Sequence, residues 1–266
     1  MKNSLLTFPK GGIHPPDSKL LTGHLPIEIL PPPEEVDVLL SQHFGNTCEP
    51  LVKRKDEVRE GDLIGQVESG LGANIHAPLT GTVKRIGASA HPLLLEVTSI
   101  TIARDPEAKP AEYRPESWED LPGSELLQRV RDAGIVGIGG AGFPTHVKLS
   151  PPPEAKVDTL ILNGAECEPY LTTDQRVMVE HPDRIVEAAR ILLRILDIRD
   201  CRIGIEVNKK DAIEALRKAV SDGGSNGYRI SVDPLEVKYP QGSEKQLIQS
   251  ITGRRVPGFG LPFDVG

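Results

Sequence analysis

The stretch Gly134-Ile-Val-Gly-Ile-Gly-Gly-Ala-Gly-Phe-Pro-Thr-His-Val-Lys148 decides how this chain is read. Five glycines fall within nine residues (Gly134, Gly137, Gly139, Gly140 and Gly142), followed by Phe143-Pro144 and a single cation, Lys148. Glycine reaches positive φ and has no Cβ, so backbone N–H groups close on a ligand unhindered. Successive inward N–H groups make an anion-binding nest, and a lysine a few residues on adds a compact charge for a phosphate oxygen. The stretch therefore predicts a cradle for a nucleotide or flavin phosphate. A mobile linker is the plainer reading of a glycine run. Phe143-Pro144, embedded among apolar residues, weighs against it.

Gly137-x-Gly139-x-x-Gly142 also spells the dinucleotide fingerprint. That fingerprint needs a strand before it, a helix opening from it and an acidic residue about 20 positions on. Here residues 124–133 read as a helix, with Leu126, Leu127 and Val130 on one face, Ser124 as its cap and Gly134 as its stop. The cradle is therefore expected to follow a helix, outside the standard dinucleotide geometry.

Downstream, helix and strand patterns alternate, an α/β signature. Strands are predicted over residues 157–162, 202–207, 228–232 and 235–239, the last two separated by Pro234. Helices are predicted over 182–196, 211–220 and 243–251, the third offering its N-terminal N–H groups to an anion just after Gly242. The loop after the first strand carries Glu166 and Glu168 around Cys167. Two carboxylates would repel a phosphate, so on an exposed loop they are expected to accept from ribose or ribityl hydroxyls or a carboxamide. Ligands of open α/β sheets bind at strand carboxyl ends, which favours a site over a solvated acidic turn.

Upstream, the first 110 or so residues read as all-β. Residues 1–35 are rich in proline and glycine and predict an extended arm. Strands are predicted around 36–40, 51–54, 63–68, 81–86 and 93–103, a charged turn at Lys53-Arg-Lys-Asp-Glu57, and a linker over 105–123. The chain's 266 residues suffice for two modest domains, and its net charge of −7 argues against a dedicated nucleic-acid surface. No apolar run reaches the length of a membrane span. Cys48, Cys167 and Cys201 are scattered, with no Cys-x-x-Cys, and predict neither a disulfide framework nor an iron–sulfur or zinc site. His14, His24, His43, His76 and His91 lack ligand spacing and are expected to be satisfied or solvated.

Gly-x-Gly-Gly-Ala-Gly-Phe-Pro-Thr-x-x-Lys resembles the flavin loop of the NADH-binding flavoprotein subunit of respiratory complex I. Asn163-Gly-Ala-Glu-Cys-Glu-Pro169 and Tyr239-Pro-Gln-Gly-Ser-Glu244 agree in order, and Phe8-Pro-Lys-Gly-Gly-Ile-His-Pro-Pro16 narrows the resemblance to the RnfC subunits of Rnf-type ferredoxin:NAD oxidoreductases. Residues 58–65 and 75–83 resemble a biotinyl/lipoyl-type barrel-sandwich hybrid, but the tip Ser69-Gly-Leu-Gly-Ala73 has no lysine to modify.

The resemblance implies a two-domain α+β and α/β fold. An N-terminal β-rich barrel-sandwich hybrid with its arm would span 1–110, followed by an α/β FMN- and NADH-binding domain over 120–266. It assigns Gly137, Gly139, Gly140, Lys148, Asn163, Glu166, Tyr239 and Glu244 to FMN, and Phe143, Glu168 and Phe263 to NAD(H). Ile138, Ala165 and Ser243 stand where the family carries an arginine, an aspartate and a glutamate, which removes charge from the cavity. The implied function is hydride exchange between NAD(H) and FMN, with no catalytic side chain and no metal in this segment. Partners would be other subunits of a membrane-associated electron transport complex and ferredoxin-side carriers, on the cytoplasmic face. RnfC-like chains continue into a region with two [4Fe–4S] clusters, so this sequence is expected to be an N-terminal piece. A cobalamin-reductase-type flavoprotein of bacterial microcompartments and an assembly module with an empty flavin site are the alternatives.

Overall fold

The computed structural model describes residues 5–138, 140–224 and 226–266. They gather into two compact units, Leu30–Ser150 and the segment up to Ile29 together with Pro151–Gly266. Packing thus cuts the chain differently from a split near residues 110–120. The arm folds onto the α/β unit, and the glycine stretch belongs to the β unit.

The β unit holds two antiparallel sheets. One has the order β1 (Glu35–Leu39), β7 (Leu95–Arg104), β6 (Gly81–His91), β3 (Glu57–Val58); the other runs β2 (Glu49–Pro50), β4 (Leu63–Gln66), β5 (Ile75–His76). Val38, Leu40, Ile64, Val83, Ile100 and Ile102 are buried in one shared core. The strand expected over 51–54 is a turn instead. The Asp56 carboxylate accepts the Lys53 N–H (2.7 Å) and Lys55 takes φ 78°, so pairing is confined to Glu49–Pro50. The tip at 69–73 is folded back: Leu71 O accepts the Asn46 N–H (2.8 Å) and Ser69 O the Asn46 amide (2.9 Å).

Helix α1 (Gly123–Asp132) buries Leu126 and Val130. Its cap is Pro122, with no side-chain bond, where Ser124 was expected. Its end is a Schellman motif: the Gly134 N–H reaches Arg131 O (3.0 Å) and the Ile135 N–H reaches Val130 O (3.3 Å), with Gly134 at φ 65°. A Cβ there would lie 2.1 Å from Asn74 O, so glycine is required twice over. A single turn, α2 (Thr145–Lys148), closes the stretch.

The α/β unit has a parallel sheet of order β10 (Arg229–Leu235), β9 (Asp200–Glu206), β8 (Thr159–Gly164). Central β9 is covered on both faces, so Cys201, Ile203, Gly204 and Ile205 are all buried and the strand reads as continuously apolar. Helices α3 (Thr173–Glu180), α4 (Pro182–Leu196) and α5 (Lys210–Asp222) supply one core with Met178, Val186, Leu193 and Leu216. Leu247 and Ile251 of α6 (Glu244–Thr252) join Ala165 and Leu235 in another. Pro234 does not divide two strands: β10 runs through it, because an edge strand tolerates a residue without an N–H. The arm uses that edge, with Leu6 bridging Leu235 and Ile13 bridging Tyr239.

Candidate functional site

Two groups of side chains emerge, one in each unit. In the β unit the glycine stretch is a closed loop. Val136 bridges Pro144, the Gly137 N–H donates to Phe143 O (2.9 Å) and the Thr145 N–H to Ile135 O (2.9 Å). Ile138 projects into solvent at 96% exposure, Gly140 is exposed, and Gly139 lies outside the described residues. Lys148, at the end of α2, is exposed but arches back over the loop. A Cβ at Gly137 would sit 2.5 Å from its Nζ, so the ammonium occupies the space that glycine leaves open. Phe143 stacks on Phe44, centroids 5.7 Å apart at 27°. The Phe44 N–H also donates to Gly142 O (3.0 Å), tying the loop to the turn after β1. Phe44 carries no motif, and nothing in its local sequence points to this contact.

In the α/β unit, the loop after β8 meets the segment before α6, at the carboxyl end of the sheet where open α/β folds bind ligands. The Asn163 amide donates to Gly242 O (2.8 Å) while its oxygen accepts the Ala165 N–H (3.3 Å). The Gly242 N–H reaches Cys167 Sγ (3.2 Å), and a Cβ on Gly242 would press on Ala165, Cys167 and Asn163 at 3.4–3.5 Å. Glu168 is exposed, and its carboxylate accepts the Tyr239 hydroxyl, which holds that phenol above its usual pKa. Glu244 is exposed at the first position of α6.

Glu166 departs from the exposed placement expected of it. It is buried at φ 46°, and its carboxylate accepts the N–H groups of Asp174 (2.7 Å) and Gln175 (3.4 Å) at the start of α3. Burial is the main influence and raises its pKa; the Asp174 N–H opposes that. A carboxylate used this way is a helix cap. Phe263 sits in a 3-10 helix, Pro262–Val265, against α6. The carbonyl of Gly266 just beyond accepts the Asp158 and Thr159 N–H groups, at the opposite end of β8 from Asn163.

Two buried lysines that no motif marks organise this loop. Lys209, fully buried, donates to Ala165 O (2.7 Å), Asn208 Oδ1 (3.0 Å) and Glu206 Oε2 (3.2 Å), which uses all three N–H bonds of an ammonium. Burial pushes Glu206 up and Lys209 down, and each offsets the other's shift by attraction. Lys19 donates to Glu168 O (2.9 Å) and Leu171 O (2.5 Å). The cavity between arm and sheet, lined by His14, Asp17, Lys19, Cys167 and Tyr239, is about 40 Å³, room for water rather than a nucleotide. Burial pushes the thiols of Cys48 and Cys201 up to about 11 and about 12, so both are inert.

Residues 130–266 match the family described as the Nuo51 FMN-binding domain, and residues 6–107 match the RnfC barrel sandwich hybrid domain. The chain is similar to an RnfC-type subunit of the proton-translocating ferredoxin:NAD(+) oxidoreductase complex of Clostridium ljungdahlii, 47% identical over 97% of this chain and 56% of that protein. It is also similar to the corresponding subunit of the Na(+)-translocating ferredoxin:NAD(+) oxidoreductase complex of Acetobacterium woodii, 42% identical over 97% of this chain and 58% of the relative. The chain thus spans a little over half the length of these relatives. Among solved structures, an NAD+-reducing [NiFe]-hydrogenase aligns at 24% identity and TM-score 0.47, over 51% of this chain and 25% of that one.

Proposed function

Because this chain belongs to the Nuo51 FMN-binding domain family and carries the RnfC barrel sandwich hybrid domain ahead of it, we propose that it is the flavin- and nicotinamide-handling part of an RnfC-type subunit. The whole protein would work in an ion-translocating ferredoxin:NAD oxidoreductase, peripheral on the cytoplasmic face through partner subunits. The names of the relatives support that setting, and no described helix is long and apolar enough to cross a membrane. The two matches also support functional domains divided near residues 110–120, although the arm packs beyond that boundary.

The cradle carries the reading: an ammonium, Lys148, against the Cβ-less face of Gly137, inside the matched segment. That arrangement fits a phosphate. When bound, FMN supplies the two-electron chemistry, taking hydride from the nicotinamide or returning it. The chain's own residues bind and orient. Gly137, Gly139, Gly140 and Lys148 are proposed to hold the phosphate end. Asn163 and Glu166 shape the flavin site through the loop they hold, and Tyr239 and Glu244 line it. Phe143, Glu168 and Phe263 are proposed for the dinucleotide, where Phe143 offers a stacking face and Glu168 an acceptor for hydroxyl or amide N–H groups.

Lys148→Ala tests the cradle. A charge-assisted contact contributes about 1.5–3 kcal/mol, so FMN affinity should fall about 10- to 150-fold while riboflavin affinity holds. Equal losses for both ligands, by flavin fluorescence titration, would remove Lys148 from the phosphate site. The FMN-loaded chain should also be bleached by NADH and reduce ferricyanide.

A further inference from the structure

We propose that the N-terminal arm is a positioning element for the Glu168–Tyr239 pair, and that Lys19 is the residue through which it acts. The nucleotide part of this inference rests on the function proposed above; the positioning part does not.

Glu168 and Tyr239 lie in irregular segments outside the helices and strands of the unit, so neither is oriented by a backbone ladder of its own. Arm residues 13–19 supply what is lacking. At one end, Ile13 exchanges both main-chain hydrogen bonds with Tyr239, each 2.9 Å. At the other, Asp17 O accepts the Tyr170 N–H (2.8 Å), and the Lys19 ammonium binds the carbonyls of Glu168 and Leu171. Lys19 is only 7% exposed, and the Glu166 carboxylate lies 4.0 Å away. Its donors thus turn the Glu168 carbonyl inward, while the Glu168 side chain remains exposed and reaches the Tyr239 hydroxyl.

The arm is itself anchored on both sides of this span. Phe8 is 4% exposed under the Lys238 ammonium, 4.1 Å from its ring centroid, and Lys238 also donates to Phe8 O (3.0 Å). Beyond Lys19, the Thr22 and Thr172 hydroxyls pair at 2.8 Å and Arg176 donates to Gly23 O (3.2 Å). A lysine suits the role because its long apolar stem crosses the packed interior and its three donors meet carbonyls of more than one residue.

Lys19→Met keeps the stem and removes the donors. The chain has four tyrosines, so the absorbance titration of the folded protein minus that of Tyr239→Phe isolates Tyr239. In Lys19→Met, Glu168 should drift from the phenol and the Tyr239 midpoint should fall toward its ordinary value. Loss of a nearby positive charge alone would push it the other way. With FMN bound, the NADH concentration for half-maximal bleaching should rise about five- to tenfold at nearly unchanged maximal rate. A Tyr239 titration unchanged in folded Lys19→Met overturns the proposal whatever NADH does. A shifted titration with unchanged NADH dependence upholds the positioning and removes the pair from the nucleotide site. Should Lys19→Met not fold, the same readouts apply to Lys19→Gln, which keeps one donor a bond short and should move them in the same direction by less.

Discussion

Changing Glu166 to alanine should cost the α/β unit about 2–3 kcal/mol. The carboxylate accepts two N–H groups at the start of α3, at 2.7 and 3.4 Å, and its side chain is 2% exposed. Losing a cap costs about 0.5–2 kcal/mol, and a buried donor left without a partner costs about 1–3 kcal/mol. Lys19 loses a counter-charge at 4.0 Å, about 4 kcal/mol of gross attraction at an effective dielectric of 20, but it keeps two carbonyls. Against these losses stands the desolvation of the carboxylate itself, the main reason its pKa is raised, which the substitution relieves. Glu166→Gln keeps an acceptor and should cost about half as much, whereas exposed Glu168→Ala should cost under about 0.5 kcal/mol. Urea unfolding without FMN, followed by helical circular dichroism, reads the difference as a midpoint shift of about 1 M for the alanine variant. A Glu166→Ala midpoint within about 0.2 M of the parent would refute the capping role.

Gly134→Ala should destabilise the β unit by about 2–4 kcal/mol, because φ is 65° and the added Cβ would meet Asn74 O at 2.1 Å; a melting temperature within a degree of the parent would contradict this. Phe44→Ala removes the ring stacked on Phe143, a contact contributing about 0.5–1.5 kcal/mol, so half-maximal bleaching should need two- to tenfold more NADH; an unchanged value would detach Phe44 from the site. Asp158 is held below its usual carboxylate pKa chiefly by the Arg254 guanidinium, 2.8 Å from each of its oxygens. A depressed acid stabilises above its unfolded pKa and loses that contribution as pH falls through its folded pKa. The pair is more than a third exposed, so Asp158→Asn should cost only about 0.5 kcal/mol at pH 6, and the two urea midpoints should converge by about pH 3; a constant gap would show that charge is not involved.

The α/β class, the helix before the glycine stretch and the Gly134 stop were all legible in the chain, because each is written in local periodicity and backbone chemistry. Helix α4 occupies the residues predicted for it, 182–196, since its apolar stripe and Pro182 are unambiguous. The convergence of Asn163, Gly242 and Tyr239 was legible only through resemblance, as those residues lie about 80 positions apart and no spacing rule joins them. Other features were decided in three dimensions. Pro234 sits within a strand because β10 is an edge, a property of the assembled sheet. Residues 51–54 turn because the Asp56 side chain bonds a backbone N–H that a strand would have used. Glu166 and Lys19 look like solvent-facing charges in sequence; folding buries both, because the ends of a helix and a loop need partners that only they can reach. Sequence by itself determined which segments become helix, strand and cradle, since those depend on neighbours a few residues away. Which charges turn inward, and therefore which residues hold the site in place, depended on groups brought together from distant parts of the chain, and only the tertiary structure decided that.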